Sequence, residues 1–185
     1  MGGVFFVTIS LAIDTSTSRT CVAIIEGGSV LWSGHRDGAT AHGPALPALV
    51  QDAIAGRTID EVVVGMGPGP FTGLRIGIAF AQSFALARQI PVRGLCSLDA
   101  IAAQINSRDF IVTVDARRKE VYWARYKDGV RVGEPAVNFP AAVGSESAEI
   151  FSGLYPDLLA MVALTGNITE PMYLRHPDAV AVVDR

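Results

Sequence analysis

The sequence predicts an α/β protein of two related lobes, and three observations support that prediction. An apolar, strand-like segment that ends in aspartate occurs twice, at Leu11–Asp14 and at Val112–Asp115. A second apolar segment follows each of them, and then a two-residue turn that begins 13 residues after the aspartate. These turns, Gly27-Gly28 and Asp128-Gly129, are dipeptides that favour β-hairpins. Such self-similarity within one chain is typical of a duplicated fold.

The first lobe, residues 1–96, is predicted as βββαβα. Alternating apolar residues indicate strands, and apolar residues at helical spacing indicate helices. Residues 1–12 lack the basic start of a signal peptide and run directly into Asp14 and a polar loop, so they are interpreted as a strand. The predicted elements are strands Leu11–Asp14, Cys21–Ile25 and Ser29–Trp32, helix Pro44–Ala55, strand Glu61–Gly65, helix Leu74–Arg88 and strand Pro91–Leu95.

The second lobe, residues 97–185, repeats the three-strand pattern and is then reduced. A helix is predicted from Ser97, as its N-cap, to about Ile105. Helical content is predicted over Ile150–Leu164, interrupted by Pro156, with a strand as the alternative at Val162–Thr165, and the chain beyond Gly166 is predicted to be extended. The three strands are predicted at Val112–Asp115, Val121–Tyr126 and Val130–Val132.

A three-strand meander followed by αβα, present twice, resembles the actin-like ATPase superfamily (ASKHA, RNase H-like). In that superfamily the aspartate at the end of the first strand and the polar turn after it face bound phosphate and its metal. Asp14, Thr15 and Ser16 match this in kind, because a carboxylate binds metal while hydroxyls and amides bind phosphate oxygens. The alternative, that Asp14 and Ser16 only bond to nearby backbone, fits the residues equally well.

A glycine-proline loop, Gly65 to Gly73, joins a predicted strand to a predicted helix. Its glycines allow close approach to another group, and Thr72 could cap the helix, whose N-terminus favours anions. The loop lacks the lysine of a P-loop. A tight turn with no ligand fits the loop as well as a phosphate site does. The candidate residues for a vestigial, weak phosphate site are Asp14, Thr15, Ser16, Gly67, Gly69, Thr72 and Gly73.

Composition and charge limit the function classes. Half of the residues are hydrophobic and 18% are charged, which indicates a compact domain. The net charge of −3 argues against a protein that binds nucleic acid unaided, because phosphate neutralisation needs a basic surface. The one dense basic run, Arg117–Lys119, is interpreted as a solvated hairpin end. Cys21 and Cys96 lie in apolar contexts and are predicted to be buried free thiols of a reducing, cytoplasmic protein.

No catalytic or metal-binding constellation is found in the sequence. The three histidines, His35, His42 and His176, form neither a His-x-x-x-His nor a His-Glu-x-x-His pair, and neither cysteine is near a histidine. No Gly-x-Ser-x-Gly nucleophile elbow occurs. His42 is predicted at a helix start with a surface or capping role. We therefore predict no metal site and no catalytic residues in this chain.

The predicted helix Leu74–Arg88 is apolar nearly all round. Small residues recur at intervals of four, at Gly73, Gly77, Ala81 and Ala85, and this spacing allows close backbone approach. More apolar surface is present than one buried face requires. The helix is interpreted as meeting a partner subunit on its second face, and burial inside its own domain is the alternative.

Four segments together resemble the TsaB (YeaZ) family, which acts in threonylcarbamoyladenosine synthesis on tRNA. The resemblance covers the first lobe and the second hairpin, and the Gly-Pro-Gly-x-Phe-Thr-Gly motif is specific. The segments are Leu11–Thr17, Gly67–Gly77, Asp115–Tyr122 and Tyr173–Arg175.

The resemblance implies an actin-like fold without catalytic competence. It implies a non-catalytic scaffold that pairs with a TsaD-like transferase subunit, joined by a TsaE-like ATPase, to modify N6 of adenosine 37 in tRNAs that read ANN codons. It also implies that homodimers form, that tRNA is met only through the complex, and that no membrane is involved. The chain itself is expected to need no cofactor, with ATP and metal on the partner subunits.

In this family pairing uses the first two helices, which here are Pro44–Ala55 and Gly73–Arg88. The alternative function is an independent ATP-dependent phosphotransferase of the actin-like superfamily, and a metallopeptidase is a remote third because the histidine pair is missing. The interface residues predicted from the two helices are Leu46, Leu49, Val50, Ala53, Leu74, Gly77, Ile78, Ala81, Gln82 and Ala85.

Overall fold

Two β-sheets organise the chain. Each has three antiparallel strands, followed by two parallel strands in the first sheet and by one in the second. The computed structural model describes residues 7–144 and 148–175, so the predictions for residues 1–6 and His176 lie outside it. The first sheet has the order β3-β2-β1-β4-β5. Its strands are β1 (Ile9–Asp14), β2 (Arg19–Glu26), β3 (Ser29–Asp37), β4 (Glu61–Gly65) and β5 (Val92–Leu95).

Helices α1 (His42–Ile54) and α2 (Phe71–Arg88) cover one face of this sheet. Their apolar side chains and those of β1, β2 and β4 form the largest buried cluster, which includes Leu11, Leu46 and Leu74. Burying such side chains contributes about 1.5–3 kcal/mol each. None of the described helices combines the length and the apolar character that crossing a membrane would require.

The second sheet has the order β8-β7-β6-β9. Its strands are β6 (Asp109–Asp115), β7 (Val121–Lys127), β8 (Val130–Asn138) and β9 (Glu149–Ser152). Two short helices flank the sheet in sequence, α3 (Ser97–Ala102) and α4 (Leu158–Ala163).

The predicted end of the second lobe is wrong in two places. Ile150, predicted as helical, lies in β9, which pairs parallel with β6, and only the stretch after Pro156 forms a helix. Val162 belongs to α4, so the alternative strand at Val162–Thr165 is not formed. A four-residue edge strand carries too short a pattern to be told from a helical turn by periodicity alone.

The predicted duplication is confirmed by the strand pairing. β1 pairs antiparallel with β2 and parallel with β4, and β6 pairs antiparallel with β7 and parallel with β9. Both hairpin dipeptides have two positive φ angles, of 56° and 78° at Gly27-Gly28 and 47° and 78° at Asp128-Gly129. The chain therefore has the predicted α/β actin-like ATPase fold. The second lobe is reduced, since the described residues between β8 and β9 include only a short 3-10 helix, Pro140–Ala142.

Helices α3 and α4 pack against each other, and both contact the first sheet. Ala100 of α3 and Met161 of α4 are buried against β1, β2 and β4 of the first sheet. Leu98 and Ile101 of α3 are buried against the second sheet. The two lobes therefore share buried side chains, and a boundary at residue 96 remains a prediction.

Candidate functional site

The turn after β1 is closed inside the protein. Asp14, Thr15 and Ser16 are all buried. One carboxylate oxygen of Asp14 accepts hydrogen bonds from the backbone N–H of Ser16, at 2.8 Å, and from its hydroxyl, at 2.7 Å. The other oxygen accepts a hydrogen bond from the hydroxyl of Ser97, at 2.6 Å. Burial raises the pKa of the Asp14 carboxyl, although these bonds and the nearby His42 act in the opposite direction.

The glycine-proline loop packs directly on this turn. A Cβ atom at Gly65 would overlap the second carboxylate oxygen of Asp14, and one at Gly69 would overlap the backbone of Ser16. Gly67 has a φ of 97°, which side-chain-bearing residues rarely adopt. The glycines therefore let the loop approach the protein's own turn, and the predicted phosphate residues Asp14, Thr15 and Ser16 lie beneath it.

The small residues of α2 make the same kind of contact. The Thr15 hydroxyl donates to the carbonyl of Gly73, at 2.8 Å. A Cβ at Gly73 would lie 2.7 Å from the Thr15 carbonyl oxygen, and one at Gly77 would overlap the Thr15 hydroxyl oxygen. The spacing that suggested a partner surface thus brings α2 onto the β1–β2 turn of the same chain.

Nine of the ten residues predicted for the partner interface are buried within the chain itself. Only Gln82 is exposed. A repeat of three and four residues marks a buried stripe, and the sequence does not say whether the same chain or a partner covers it. The buried nine are Leu46, Leu49, Val50, Ala53, Leu74, Gly77, Ile78, Ala81 and Ala85.

The outward face of α2 carries a different set of side chains. Leu86 is 80% exposed, and Ile76, Phe80 and Phe84 are partly buried at the edge of the core. The rings of Phe80 and Phe84 stack with centroids 6.1 Å apart. We call these four side chains, with Ala79 and Gln82, the outward face of α2.

The two predicted capping residues have other positions. Helix α2 begins at Phe71 with Pro70 as N-cap, so Thr72 lies inside the first turn and does not cap it. Helix α3 has Cys96 as N-cap, and the Ser97 hydroxyl is bonded to Asp14. Ser97 and Asp14 are 83 residues apart in the chain. Sequence reasoning missed this pairing because no local pattern encodes it.

His42 begins α1, as predicted, but it is buried and has no surface role. Its Nδ1 lies 2.7 Å from the hydroxyl oxygen of Thr20. Burial lowers the pKa of the His42 imidazole, although the Asp14 carboxylate and a hydrogen bond that the imidazole donates to the backbone of Thr17 oppose the shift. His42 therefore fixes the start of α1 against β2.

Cys21 and Cys96 are free and buried, as predicted. Burial raises the pKa of each thiol to about 12, which leaves both as unreactive thiols at neutral pH. Across residues 7–144 and 148–175, no three His, Cys, Asp or Glu side chains group closely enough to bind a metal ion.

A cleft of about 420 Å³ lies between the two lobes. Thr17 and Ser18 line it from the first lobe, and Asp115, Lys119 and Tyr155 line it from the second. Asp115, the counterpart of Asp14, is exposed, and its carboxylate accepts a hydrogen bond from the backbone N–H of Arg117, at 2.9 Å. Thr17 and Ser18 directly follow the predicted phosphate residues Asp14, Thr15 and Ser16, but none of the predicted phosphate residues lines this cleft.

A second pocket, of about 300 Å³, lies beside this cleft. It separates the first turn of α2 from the β6–β7 turn, which is an exposed hairpin end as predicted. Gly69 and Thr72, both predicted phosphate residues, face it. Its other principal lining residues are Phe71, Arg117, Arg118, Tyr122, Tyr173 and Arg175. We call it the arginine pocket. The sequence placed Arg117 and Arg118 in a basic run, but it gave no signal that Arg175 would join them.

Comparison with known proteins identifies relatives of this chain. The family model "TsaD: tRNA N6-adenosine threonylcarbamoyltransferase" matches residues 37–154. The Mycobacterium tuberculosis protein Rv3421c is 41% identical, over 91% of this chain and 92% of its own length. The tRNA threonylcarbamoyladenosine biosynthesis protein TsaB of Escherichia coli is 34% identical, over 67% of this chain, and this chain covers 58% of its length.

Two solved structures, of YeaZ and of a protein similar to YeaZ, superpose on this chain. YeaZ from Pseudomonas aeruginosa superposes with a TM-score of 0.71 and 27% identity, covering 84% of this chain and 89% of that one. A second structure, described as similar to the peptidase YeaZ from the same organism, gives a TM-score of 0.77 at 27% identity, with 91% and 100% coverage.

Proposed function

The chain belongs to the TsaB (YeaZ) family, and on this premise we propose that it is a non-catalytic subunit in threonylcarbamoyladenosine synthesis on tRNA. The observation that carries the proposal is the closed β1–β2 turn. Asp14 is bonded to Ser16 and Ser97 and is covered by the glycine-proline loop, so the carboxylate that would hold a phosphate-bound metal is used to hold the fold together.

The chain acts by scaffolding a TsaD-like transferase subunit, together with a TsaE-like ATPase. The transferase installs threonylcarbamoyl on N6 of adenosine 37 of tRNAs that read ANN codons, and ATP and metal belong to the partner subunits. The setting is the cytoplasm. Two buried free cysteines are in keeping with a reducing compartment.

The outward face of α2 is the surface that we propose for the TsaD-like subunit. Leu86 and the edges of Phe80 and Phe84 form an apolar surface. Ala79, exposed one turn before Ser83, leaves room for close helix approach. This surface keeps α2, one of the two pairing helices predicted from the family, and replaces its buried side chains with its exposed ones.

The test is co-purification of this chain with the TsaD-like subunit of the same organism. We expect the wild-type pair to associate at micromolar concentration. Leu86→Asp should weaken association by about tenfold or more, because a charge replaces an apolar contact at the interface. Val130→Asp is the matched control, because Val130 is 69% exposed in the β7–β8 hairpin, far from α2 in sequence.

Two outcomes count against this proposal. If the wild-type pair does not form, the scaffold function is wrong. If Leu86→Asp and Val130→Asp weaken pairing equally, the interface lies elsewhere. A homodimer that dissociates on Leu86→Asp would show instead that a second copy occupies this face.

The alternative function is an independent ATP-dependent phosphotransferase, and the cleft between the lobes favours it. That cleft has Thr17 and Ser18 on one wall and Asp115 and Lys119 on the other. Calorimetry with Mg-ATP separates the two functions. Low-micromolar affinity that Lys119→Gln in the cleft abolishes and Arg118→Gln in the arginine pocket leaves unchanged supports the enzyme, and its absence supports the scaffold.

A further inference from the structure

We propose that the arginine pocket binds a nucleotide unit, with its phosphate on the arginines and its base against the aromatic rings. Three segments meet at this pocket, and their meeting carries the inference. They are the β6–β7 turn, the first turn of α2 and residues 173–175. These three segments are far apart in sequence and meet only in the folded chain. The inference rests on the pocket itself and does not require the partner subunits. It departs from the expectation that tRNA is met only through the complex, because three arginines concentrate positive charge at one place on a chain whose net charge is −3.

The charge of the pocket suits a phosphate. Arg117, Arg118 and Arg175 line it, and the described residues lining it include no carboxylate. Guanidinium groups bind phosphate through paired N–H donors in a planar fork. Asp115 and Glu120 lie close by, but both line the cleft between the lobes and not this pocket.

Arg175 is held in place before any ligand arrives. Its guanidinium forms an ion pair with Glu120 and also donates to the carbonyl of Arg117, at 3.4 Å. An anchored side chain loses less rotamer freedom on binding than a free one does. The pairing with Glu120 uses part of the fork of Arg175 and leaves its other donors for a ligand.

Aromatic rings supply the second half of the site. Phe71 and Tyr173 pack with ring centroids 4.9 Å apart, and Tyr173 is 40% exposed at the mouth of the pocket. Tyr122 is buried and lines the same space. Nucleobases stack on such rings without regard to sequence. Cations and aromatic rings together are the recurring pattern of nucleotide and single-strand recognition.

The size and access of the pocket limit the ligand. A volume of about 300 Å³ is at the small end of ligand pockets, so it accommodates one nucleotide unit. Arg117, Arg118 and Thr72 are exposed, so a unit within a longer strand can enter as well as a free nucleotide. The first turn of α2 adds backbone N–H groups, because its N-cap, Pro70, carries no side-chain acceptor.

The test uses the full chain without partners and two probes, a fluorescein-labelled single-stranded RNA and AMP. The variant is the double substitution Arg117→Gln with Arg118→Gln. The matched control is Arg36→Gln with Arg108→Gln, which removes the same charge from two exposed arginines outside the pocket. Circular dichroism and thermal unfolding establish that both variants are folded.

We expect the wild-type chain to bind the RNA, and the Arg117/Arg118 variant to bind it at least about tenfold more weakly, with a salt slope reduced by about one to two. The Arg36/Arg108 control should stay within about twofold of wild type. Tyr173→Ala should also weaken binding, because base stacking contributes to the affinity for each unit.

Competition distinguishes the two sources of the ligand. If AMP displaces the RNA, the pocket takes a free nucleotide, and if only RNA binds, the pocket reads a unit of a strand. The inference is overturned if neither probe binds at millimolar concentration, or if both double variants weaken binding equally. Because pairing with the TsaD-like subunit is not part of this assay, the proposed function can fail while this inference holds.

Discussion

At the scale of single residues, Asp14 carries the clearest difference between sequence and structure. An aspartate that ends a buried strand and precedes hydroxyl residues has the composition of a metal and phosphate turn. Ser97 meets it from a distant part of the chain and takes one carboxylate oxygen, while Ser16 takes the other. Because residue 65 is a glycine and has no side chain, its backbone lies directly beside the Asp14 carboxylate.

Replacing Asp14 by asparagine tests this structural role. Burial raises the pKa of Asp14 above its ordinary 3.8, so the folded state binds the proton more tightly than the unfolded state. The contribution of this group to stability is therefore fully present below the ordinary pKa and is lost as the pH rises through the raised pKa. Asparagine does not titrate, and its amide can donate to the Ser97 hydroxyl.

We therefore expect the free energy of unfolding of Asp14→Asn, relative to wild type, to increase as the pH rises above the ordinary carboxyl pKa of 3.8 and to level off once the pH exceeds the raised pKa. Urea unfolding followed by circular dichroism measures this. A relative stability that falls with rising pH would mean that the hydrogen bonds from Ser16 and Ser97 outweigh burial and favour the charged carboxylate, which contradicts the expected dominance of burial. Ser97→Ala provides a companion measurement, with an expected loss of about 1–3 kcal/mol because it leaves one oxygen without its donor.

At the scale of elements, helix α2 itself was predictable, but the sequence did not show what each of its sides contacts. The helix was predicted from Leu74 to Arg88 and extends from Phe71 to Arg88. Its glycines lie on the side that contacts Thr15, whereas Leu86 faces outward. Strand β9, by contrast, was not predicted from its own sequence. Its four residues form a strand only because β6 offers a parallel edge.

A pair of glycine substitutions separates close packing from helix propensity. In Gly77→Ala the new methyl overlaps the Thr15 hydroxyl oxygen, so we expect a loss of about 1–3 kcal/mol of stability. In Gly43→Ala, inside α1, the methyl meets nothing within 4 Å, so we expect a gain of about 0.4–1 kcal/mol. Thermal and urea unfolding measure both. Equal effects of the two substitutions would refute close packing at Gly77.

At the scale of the whole molecule, α3 and α4 join the lobes. Met161 is fully buried against the first sheet although it follows the second one in sequence. Arg93 of β5 donates to the carbonyls of Leu164, at 2.6 Å, and Val162, at 2.8 Å, which ties the end of α4 to the first sheet.

The two tryptophans allow this coupling to be measured, because Trp32 lies in β3 and Trp123 in β7. We expect Trp32→Phe and Trp123→Phe each to show a single urea transition, with tryptophan fluorescence and circular dichroism giving the same midpoint. In each variant the remaining tryptophan reports on one lobe. Midpoints that differ between the two probes would mean that the lobes unfold separately, as independent domains divided near residue 96 would.

Several features were predictable because they depend on neighbours in sequence. Strand alternation, hairpin dipeptides and the duplication are local, and so the three-strand meanders were placed correctly. The arginine pocket was not predictable in this way. Arg117 and Arg175 are 58 residues apart, and they meet only because the segment after α4 returns to the β6–β7 turn.

By itself, the sequence determined the actin-like α/β fold and the family. Only the tertiary structure decided which face of α2 is free, that Asp14 is closed off, and which cations share a pocket. The physical reason is that periodicity records that a side chain is buried but not what buries it. The partner of a buried or charged group is set by contacts between distant segments, and these exist only once the two sheets have packed.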